Sequence, residues 1–416
     1  MNRKRVLNIS AAAICCLSLL TGCGDSTAAI SADLSYTQTD ISSVSVPSDV
    51  QVVGLGEASH GAAQYHQMKA DVFKALVQNN GCRTFIIEGD FGGALKVDEY
   101  INGGEGSAEE AVGEIGFAIY RTQELADLAD WMRSYNETVP AEEALHFYGM
   151  DIQRFDNNKE YLFSVLDQAA PELSAEYKDA FSGLTDENRT SLDADTLNKG
   201  KEAALELLAE MDAASANIVS ISGQHAFDQA RECANTIYAY TELQLSSDYN
   251  STRDQFMYEK VEWFLQHGDG SLLFINGHNG HIGKTSIAGY TCLGALLAEE
   301  LGDSYYAIGT DARDTRFNSQ TDDGFEVVEV SNTNDLNSQL DHSENDMYFI
   351  DFNTASADET WAGILSSRQT VTTLNVSLSG AQKSIKAAYT TTVVPNMTYD
   401  GMIVFRSVSP TTIITQ

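Results

Sequence analysis

The sequence predicts an α/β fold: a mainly parallel sheet flanked by helices, with a helical insertion and a β-richer C-terminal part. From Val52 onward, apolar runs of strand length alternate with amphipathic stretches, a pattern typical of a parallel sheet with helices on its faces. Residues 157–250 are rich in Ala, Leu and Glu and have few strand patterns. We therefore expect them to form an inserted helical cap. The 416 residues, 43% of them apolar, suffice for a large core.

The individual elements follow from the apolar spacing. Strands are predicted at residues 52–55, 84–87, 145–148, 272–275 and 305–308. Helices are predicted at 63–79, in segments up to about 136, at 252–266 and at 286–301. Past residue 310, short β-type runs at 326–330, 347–351 and 402–406 complete the sheet or add a small β-rich part.

The N-terminus has the features of an export signal. Three basic residues at 3–5 precede a short apolar run at 6–20, and Leu-Thr-Gly-Cys follows at 20–23. The run is too short for a spanning helix. We expect residues 1–22 to be a lipoprotein signal peptide and Cys23 to be the acylated residue that anchors the exported protein to the outer face of the cell membrane. Residues 23–48, rich in Ser, Thr, Ala and Asp, are predicted to be a flexible tether.

Charge and cysteine content exclude several classes of partner and site. The formal net charge is −35, which repels phosphate backbones, so we expect no nucleic-acid partner. No CxxC pair occurs, so a zinc-thiolate site is unsupported. The spacing of Cys82, Cys233 and Cys292 favours buried free thiols, with one disulfide as the alternative.

Acidic and histidine side chains follow four of the predicted strands at their carboxyl ends. In open α/β sheets that edge binds ligands, so we expect these side chains to share one cleft. Neighbouring glycines permit sharp turns and the close approach of a substrate. The side chains concerned are Glu57, His60, Glu88, Asp151, His278 and His281.

Two chemistries fit this cluster. In the first, His60 is a general base that takes a proton from water. Either Glu57 or Glu88 orients it and stabilises the imidazolium. The candidate groups for binding the substrate or its transition state are His278, His281, Lys69 and Asp151.

In the second chemistry a metal ion activates the water. Its ligands would be Glu57, His60, Glu88, His278 and His281. The spacing matches no standard metal signature, and HExxH is absent. We expect no cofactor, with the metal as the open alternative. No GxSxG elbow surrounds Ser59, and neither a GxxxxGK[ST] nor a GxGxxG motif occurs, so a serine nucleophile and nucleotide binding are unsupported.

At these residues the chain resembles the erythromycin esterase family. The first matching segment is Gly-Glu-Ala-Ser-His-Gly at 56–61, and the others follow in the family's order. They are Glu88, 131–136, 148–151, the Arg-Asp-x-x-Met segment at 253–257, 278–281 and 400–405. The resemblance covers the chain from about residue 48 to the C-terminus and implies one hydrolase domain over 49–416.

The resemblance implies hydrolysis of an ester or lactone, typified by macrolide ring opening in the response to antibiotics, without a covalent serine intermediate. It carries the family's base onto His60, its supporting acids onto Glu57 and Glu88, and its second pair onto His278 and His281. Where the family often has an arginine, this chain has Lys69, which keeps the charge but loses bidentate geometry. Two alternatives remain: a metal-dependent hydrolase with the same cluster, and a lipoprotein that binds a small ligand without turnover.

Overall fold

The structure is a computed structural model. It describes residues 31–415 except Asp269 and Ala288. The predicted signal peptide at 1–22, the lipidation site Cys23 and the first part of the predicted tether therefore lie outside the described residues. No helix within the described part of the chain has the length and apolar character needed to cross a bilayer.

A mixed, mostly parallel sheet forms the centre of the molecule. Its order is β1-β8-β11-β6-β2-β5-β3-β4, with β7 paired to the long strand β6, and β9 and β10 form a separate antiparallel pair. Pairing is parallel from β11 through to β4 and antiparallel for β1, β7 and β8. The strands are β1 (Thr37–Gln38), β2 (Val52–Glu57), β3 (Thr84–Asp90), β4 (His146–Asp151), β5 (Leu273–His278), β6 (Tyr305–Thr321), β7 (Gly324–Ser331), β8 (Met347–Asp351), β9 (Gln369–Thr372), β10 (Thr390–Val393) and β11 (Gly401–Val408).

Helices cover both faces of this sheet, as expected for strands that are apolar on both sides. Successive strand residues alternate between two core clusters: Val52 lies in one and Val53 in the other. The helices are α1 (Ala63–Asn80), α2 (Phe91–Ile101), α3 (Ala108–Gly113), α4 (Gln123–Asn136), α5 (Asp156–Ala169), α6 (Pro171–Ala180), α7 (Ala194–Ala213), α8 (Ser215–Ser222), α9 (Gln224–Leu245), α10 (Tyr249–His267), α11 (Asn279–Ile282), α12 (Leu293–Leu301), α13 (Phe352–Ala355), α14 (Glu359–Ser366) and α15 (Pro395–Thr398).

The predicted α/β fold with a mainly parallel sheet is confirmed. Helices α5–α9 occupy the segment predicted to be helical at 157–250. The β-type runs after residue 310 mainly extend the central sheet, because β8 and β11 pair within it. Cys82, Cys233 and Cys292 are buried free thiols, as predicted.

Two sequence predictions need correction. The helix predicted at 286–301 begins only at Leu293, because Gly289 has φ +83°, a conformation that ends a helical path. The tether predicted at 23–48 is wrong for residues 31–48, which pack on the domain: β1 pairs with β8, and Val44 and Val46 are buried. Trp361 Nε1 also donates a 2.8 Å hydrogen bond to the Asp33 carbonyl. A few spaced apolar residues are therefore enough to hold this otherwise polar segment against the domain.

Candidate active site

Four adjacent parallel strands deliver the predicted residues to one edge of the sheet. Strands β2, β5, β3 and β4 are neighbours in that order, and Glu57 at the end of β2 is in register with His278 at the end of β5. A cleft of about 770 Å³ opens at this edge. Of the predicted residues, those that line it are His60, Glu88, Asp151, His278 and His281.

A buried acid, Glu57, contacts His60 and is itself paired with a buried lysine, Lys69. Glu57 Oε1 lies 2.7 Å from His60 Nδ1, and Glu57 Oε2 lies 2.8 Å from Lys69 Nζ. Glu57 is 1% exposed and Lys69 0%. Burial alone would raise the pKa of Glu57, but Lys69 and then His60 hold that pKa well below its usual range. Glu57 is therefore a fixed carboxylate, and it accepts a hydrogen bond from His60 Nδ1–H.

The backbone and ring of His60 have further contacts. His66 Nε2 donates to the His60 carbonyl at 2.9 Å, while burial and then Lys69 lower the pKa of His66 to about 3, so this imidazole is neutral. The Tyr120 hydroxyl lies 3.4 Å from His60 Nδ1, and its ring meets the imidazole edge-on. These contacts fix the ring plane, so that Nε2 is the nitrogen left to act as a base.

Glu88 belongs to a second network, which also contains Arg253 and Asp151. Arg253 Nη2 donates to Glu88 Oε1 at 2.7 Å, and its Nε and Nη2 bind both carboxylate oxygens of Asp151 at 3.1 and 2.7 Å. Glu88 Oε2 accepts the His278 backbone N–H at 2.7 Å. Burial would raise the pKa of Glu88, but His281 and Arg253 hold it well below its usual range.

His281 is the charged member of the histidine pair. Its Nδ1 lies 2.7 Å from Asp254 Oδ1 and its Nε2 lies 3.3 Å from Glu88 Oε1. Burial opposes the charge, yet these two carboxylates raise the pKa of His281 to about 10. Arg253 Nη1 is 3.0 Å from His281 Nε2. Asp254 and Glu88 both stabilise the protonated form of His281. We therefore assign this contact to two cations, Arg253 and His281, which both pair with Glu88.

His278, in contrast, is neutral. Burial and then the neighbouring His60 lower its pKa to about 3. Its Nδ1 accepts the Gly280 N–H at 3.1 Å, which places the ring proton on Nε2. The rings of His278 and His60 are 5.4 Å apart. A neutral ring with a donor nitrogen therefore lies next to the His60 ring.

Gly56 allows the end of β2, which precedes His60, to lie close to α11, which carries His281. A Cβ at Gly56 would lie 2.2 Å from Asn279 Oδ1. That oxygen accepts the Thr310 N–H at 3.1 Å, and Asn279 Nδ2 donates to the Thr310 carbonyl at 2.7 Å. Asn279, the first residue of α11, thus joins this helix to β6, and only glycine leaves room for it near the end of β2.

The donor set suits a metal ion poorly. Glu57 is already paired with His60 and Lys69, and Glu88 with Arg253. Two fixed cations therefore stand where a metal would bring further positive charge. Among residues 31–415, apart from the two left undescribed, no group of three His, Cys, Asp or Glu side chains is placed to hold a metal.

Several predicted roles change with the geometry. Glu57, not Glu88, contacts His60. Lys69 does not line the cleft: it lies behind Glu57, so it cannot touch a substrate as predicted. Asp151 lines the cleft with its carboxylate held by Arg253. Ser59 is 0% exposed, and its Oγ accepts the Gly61 N–H at 3.2 Å.

Sequence reasoning missed three residues of this site. Arg253 and Asp254 lie on α10, and Tyr120 lies in the segment before α4. Arg253 and Asp254 belong to a segment noted for its resemblance to a family motif, so a signal for them existed. Their partners Glu88 and His281 are 165 and 27 residues away, and spacing does not reveal such pairs.

Comparisons with known proteins place the chain in a family. The family model described as erythromycin esterase matches residues 77–408. A curated Escherichia coli protein named erythromycin esterase type II is 25% identical over 291 residues, 63% of this chain and 68% of that protein.

Solved structures share the fold. A Bacillus cereus protein is 24% identical, with a TM-score of 0.76, over 88% of this chain and 91% of its own. A protein described as a succinoglycan biosynthesis protein is 21% identical, with a TM-score of 0.75, over 88% and 90%. A mutant of the erythromycin esterase EreC, in its open conformation, is 14% identical, with a TM-score of 0.65, over 88% and 93%.

Proposed function

This chain belongs to the erythromycin esterase family and is an ester hydrolase, and we propose that it cleaves an ester or lactone with a water molecule activated by His60. The observation that carries this proposal is the 2.7 Å contact between Glu57 Oε1 and His60 Nδ1 at the wall of the cleft. A neutral imidazole whose Nδ1–H is held by a carboxylate has its lone pair on Nε2, where it can accept a proton from water.

Glu57 and Lys69 act as positioning residues for this base. When His60 takes the proton, the Glu57 carboxylate stabilises the imidazolium 2.7 Å away. Lys69 keeps Glu57 ionised despite its burial. Because neither residue needs to move during the reaction, the site is preorganised for charge that develops on His60.

In the proposed reaction the second histidine pair, His278 and His281, stabilises the charge that develops on the carbonyl oxygen. The hydroxide adds to the carbonyl, and the oxyanion that forms accepts a hydrogen bond from His278 Nε2–H and is stabilised by the positive charge of His281. The intermediate then collapses, and the imidazolium of His60 returns its proton to the leaving alkoxide. One water is consumed, and a carboxylic acid and an alcohol are released.

A covalent serine step has no support from the site. Ser59, the serine next to His60, is buried and does not line the cleft. Attack by water on the substrate is thus the simpler route. A macrolide is one candidate substrate, since that is what the names of two relatives indicate for those proteins.

We also propose that the protein is exported and lipid-anchored at Cys23. The basic start, the short apolar run and the small residues before Cys23 support this. Growth in labelled palmitate, compared for the wild type and Cys23→Ala, tests it: label on the wild type alone is expected, and equal or no labelling of both would contradict it.

A panel of esters and lactones, macrolides included, tests the enzymatic proposal. We expect product release from at least one substrate class, turnover that survives chelation, and no acyl adduct on the intact protein when turnover is quenched. Loss of turnover on chelation, with recovery on adding a metal, would favour the metal-dependent hydrolase. Tight binding with no product would favour a binding lipoprotein. A trapped acyl-serine would contradict direct attack by water.

A further inference from the structure

Two arginines that the proposed chemistry does not use line the same cleft as His60. Arg154 follows β4, and Arg189 lies in the segment 181–193 between α6 and α7, within the helical insertion. We propose that they form a subsite for an oxyanion group, and that the substrate is an ester or lactone carrying a carboxylate or phosphate. This inference rests on the proposed function for the ester and on the two arginines for the anion.

Arg154 is held in place with part of its guanidinium unused. Its Nη2 donates to the Gly116 carbonyl, and the guanidinium lies over the Phe117 ring at 5.0 Å. Its Nε is buried and has no hydrogen-bond partner in the described part of the chain. The nearest carboxylate oxygen, Asp186 Oδ2, is 3.9 Å from Nη1. Arg154 is therefore oriented by a carbonyl and a ring, with its charge weakly compensated.

Arg189 has still less compensation. Its Nη1 donates to the backbone carbonyl of Asp186, and no carboxylate of the described residues lies within 4.0 Å of its guanidinium. Asp186 itself is partly engaged, because its Oδ1 accepts the Phe155 N–H at 2.6 Å. In a chain with 60 acidic and 25 basic residues, acids to pair with this arginine are plentiful. None of the described acids pairs with the Arg189 guanidinium, which leaves its charge available to a ligand.

Arg253, a third arginine in this cleft, is fully paired, unlike Arg154 and Arg189. Arg253 binds two carboxylates, Glu88 and Asp151, through charge-assisted hydrogen bonds. Arg154 and Arg189 instead repel each other, and burial together with Arg189 lowers the pKa of Arg154. A bound carboxylate or phosphate would relieve this repulsion and match the fork geometry of the guanidinium.

A binding measurement that needs no turnover tests the subsite. Glutaramate, which has an amide and a carboxylate, is titrated calorimetrically into the protein beside glutaramide, its neutral counterpart, and beside inorganic phosphate. We expect glutaramate to bind at least about ten-fold more tightly than glutaramide, the effect of one charge-assisted contact. The preference should shrink as salt is added. Tighter binding of phosphate than of glutaramate would assign the subsite to a phosphate group.

Variants of the two arginines show whether the preference for glutaramate arises at this subsite. Arg189→Gln, in the segment between α6 and α7 and itself half-buried, is expected to remove most of the preference, and Arg154→Gln to do the same if it folds. Arg231→Gln is the matched control, because Arg231 belongs to the same insertion but pairs with Asp212 at 2.6 Å outside the cleft. Equal binding of the two amides, no detectable binding of either anion, or a preference that persists in Arg189→Gln would overturn the subsite.

The two proposals fail separately. If neutral esters are turned over but no anion preference exists, the hydrolase stands and the subsite falls. If glutaramate is preferred in an Arg189-dependent way but no ester is cleaved, the subsite stands and the proposed reaction falls.

Discussion

At the scale of single residues, the site depends on a carboxylate that never meets the substrate. Glu57 contacts His60 on one oxygen and Lys69 on the other, and all three side chains are buried. The pair of Glu57 and Lys69 makes the burial of each charge tolerable, since a lone buried charge costs several kcal/mol. The catalytic and structural roles of Glu57 are therefore separable by mutation.

Glu57→Gln is expected to lower kcat by about 10²–10³-fold, because an amide no longer stabilises the imidazolium. It also leaves the Lys69 ammonium buried without a counter-ion, so the free energy of unfolding should fall by about 3 kcal/mol. Steady-state kinetics and urea unfolding measure the two effects. The exposed Glu143→Gln is the control and should change neither.

The double variant Glu57→Gln with Lys69→Met separates these roles. Removing the unpaired ammonium should restore most of the stability, while kcat stays low because the carboxylate is still missing. Recovery of kcat along with stability would show that Glu57 serves the fold alone.

The part of the site that sequence predicts is the part set by strand ends. Glu57, Glu88, Asp151 and His278 each end or follow an apolar run, so the rule for parallel sheets places them together. The inward position of Lys69 also had a signal, because Tyr65, Lys69 and Phe73 are spaced to share one helix face. Which acid takes which cation depends on side chains far apart in sequence, and spacing carries no information on that choice.

At the scale of elements, the start of α2 contains a titrating group. Asp90 caps the helix: its Oδ2 accepts the Gly93 N–H at 2.7 Å, and its Oδ1 accepts from Asn158 Nδ2 on α5 at 2.8 Å. Burial outweighs these hydrogen bonds and raises the pKa of Asp90 to about 7. A raised carboxyl pKa contributes stability at low pH that is lost as pH rises through the folded-state value.

Asp90→Asn should therefore gain stability relative to the wild type as pH rises from about 4 to about 8, on the order of 4 kcal/mol. Asparagine still caps α2, and Asn158 Oδ1, which has no hydrogen-bond partner among the described residues, can accept from the new amide. Urea unfolding across this pH range measures the difference.

The control for this prediction is Asp193→Asn at the N-cap of α7. Asp193 is exposed, and its hydrogen bond to Thr196 N–H lowers its pKa. The stability that its ionisation contributes therefore changes only at acidic pH. We expect no change in its stability difference above about pH 5. If the difference in free energy of unfolding between Asp90→Asn and the wild type does not change with pH, Asp90 does not titrate near neutral pH.

At the scale of the whole molecule, the sheet and its two helical layers follow from the sequence pattern, whereas the N-terminal segment does not. The strand that ends at Glu57 and its neighbour β5 are buried throughout and begin with apolar runs, and this pattern predicts a parallel sheet. Residues 31–48 are polar on average, so composition predicts a tether. Their docking depends on a few spaced side chains, such as Ile41, Val44 and Val46, and average composition does not detect these.

Removing this segment should cost stability. A chain that starts at residue 49 loses the β1–β8 pairing and the burial of Ile41, Val44 and Val46. We expect its free energy of unfolding to be about 3 kcal/mol lower than that of a chain starting at residue 31. Urea midpoints of the two chains test this, and equal midpoints would contradict the docked segment.

The central claim, that His60 is the base, is tested most directly by kcat/KM of His60→Asn on whichever ester the wild type cleaves. With Glu57 and Lys69 intact, we expect the value to fall by about 10²–10⁴-fold while the far-UV spectrum and urea midpoint are unchanged. Ser59→Ala, one residue away and also buried, should keep its activity if it folds normally. A His60→Asn protein that retains wild-type kcat/KM would contradict the account.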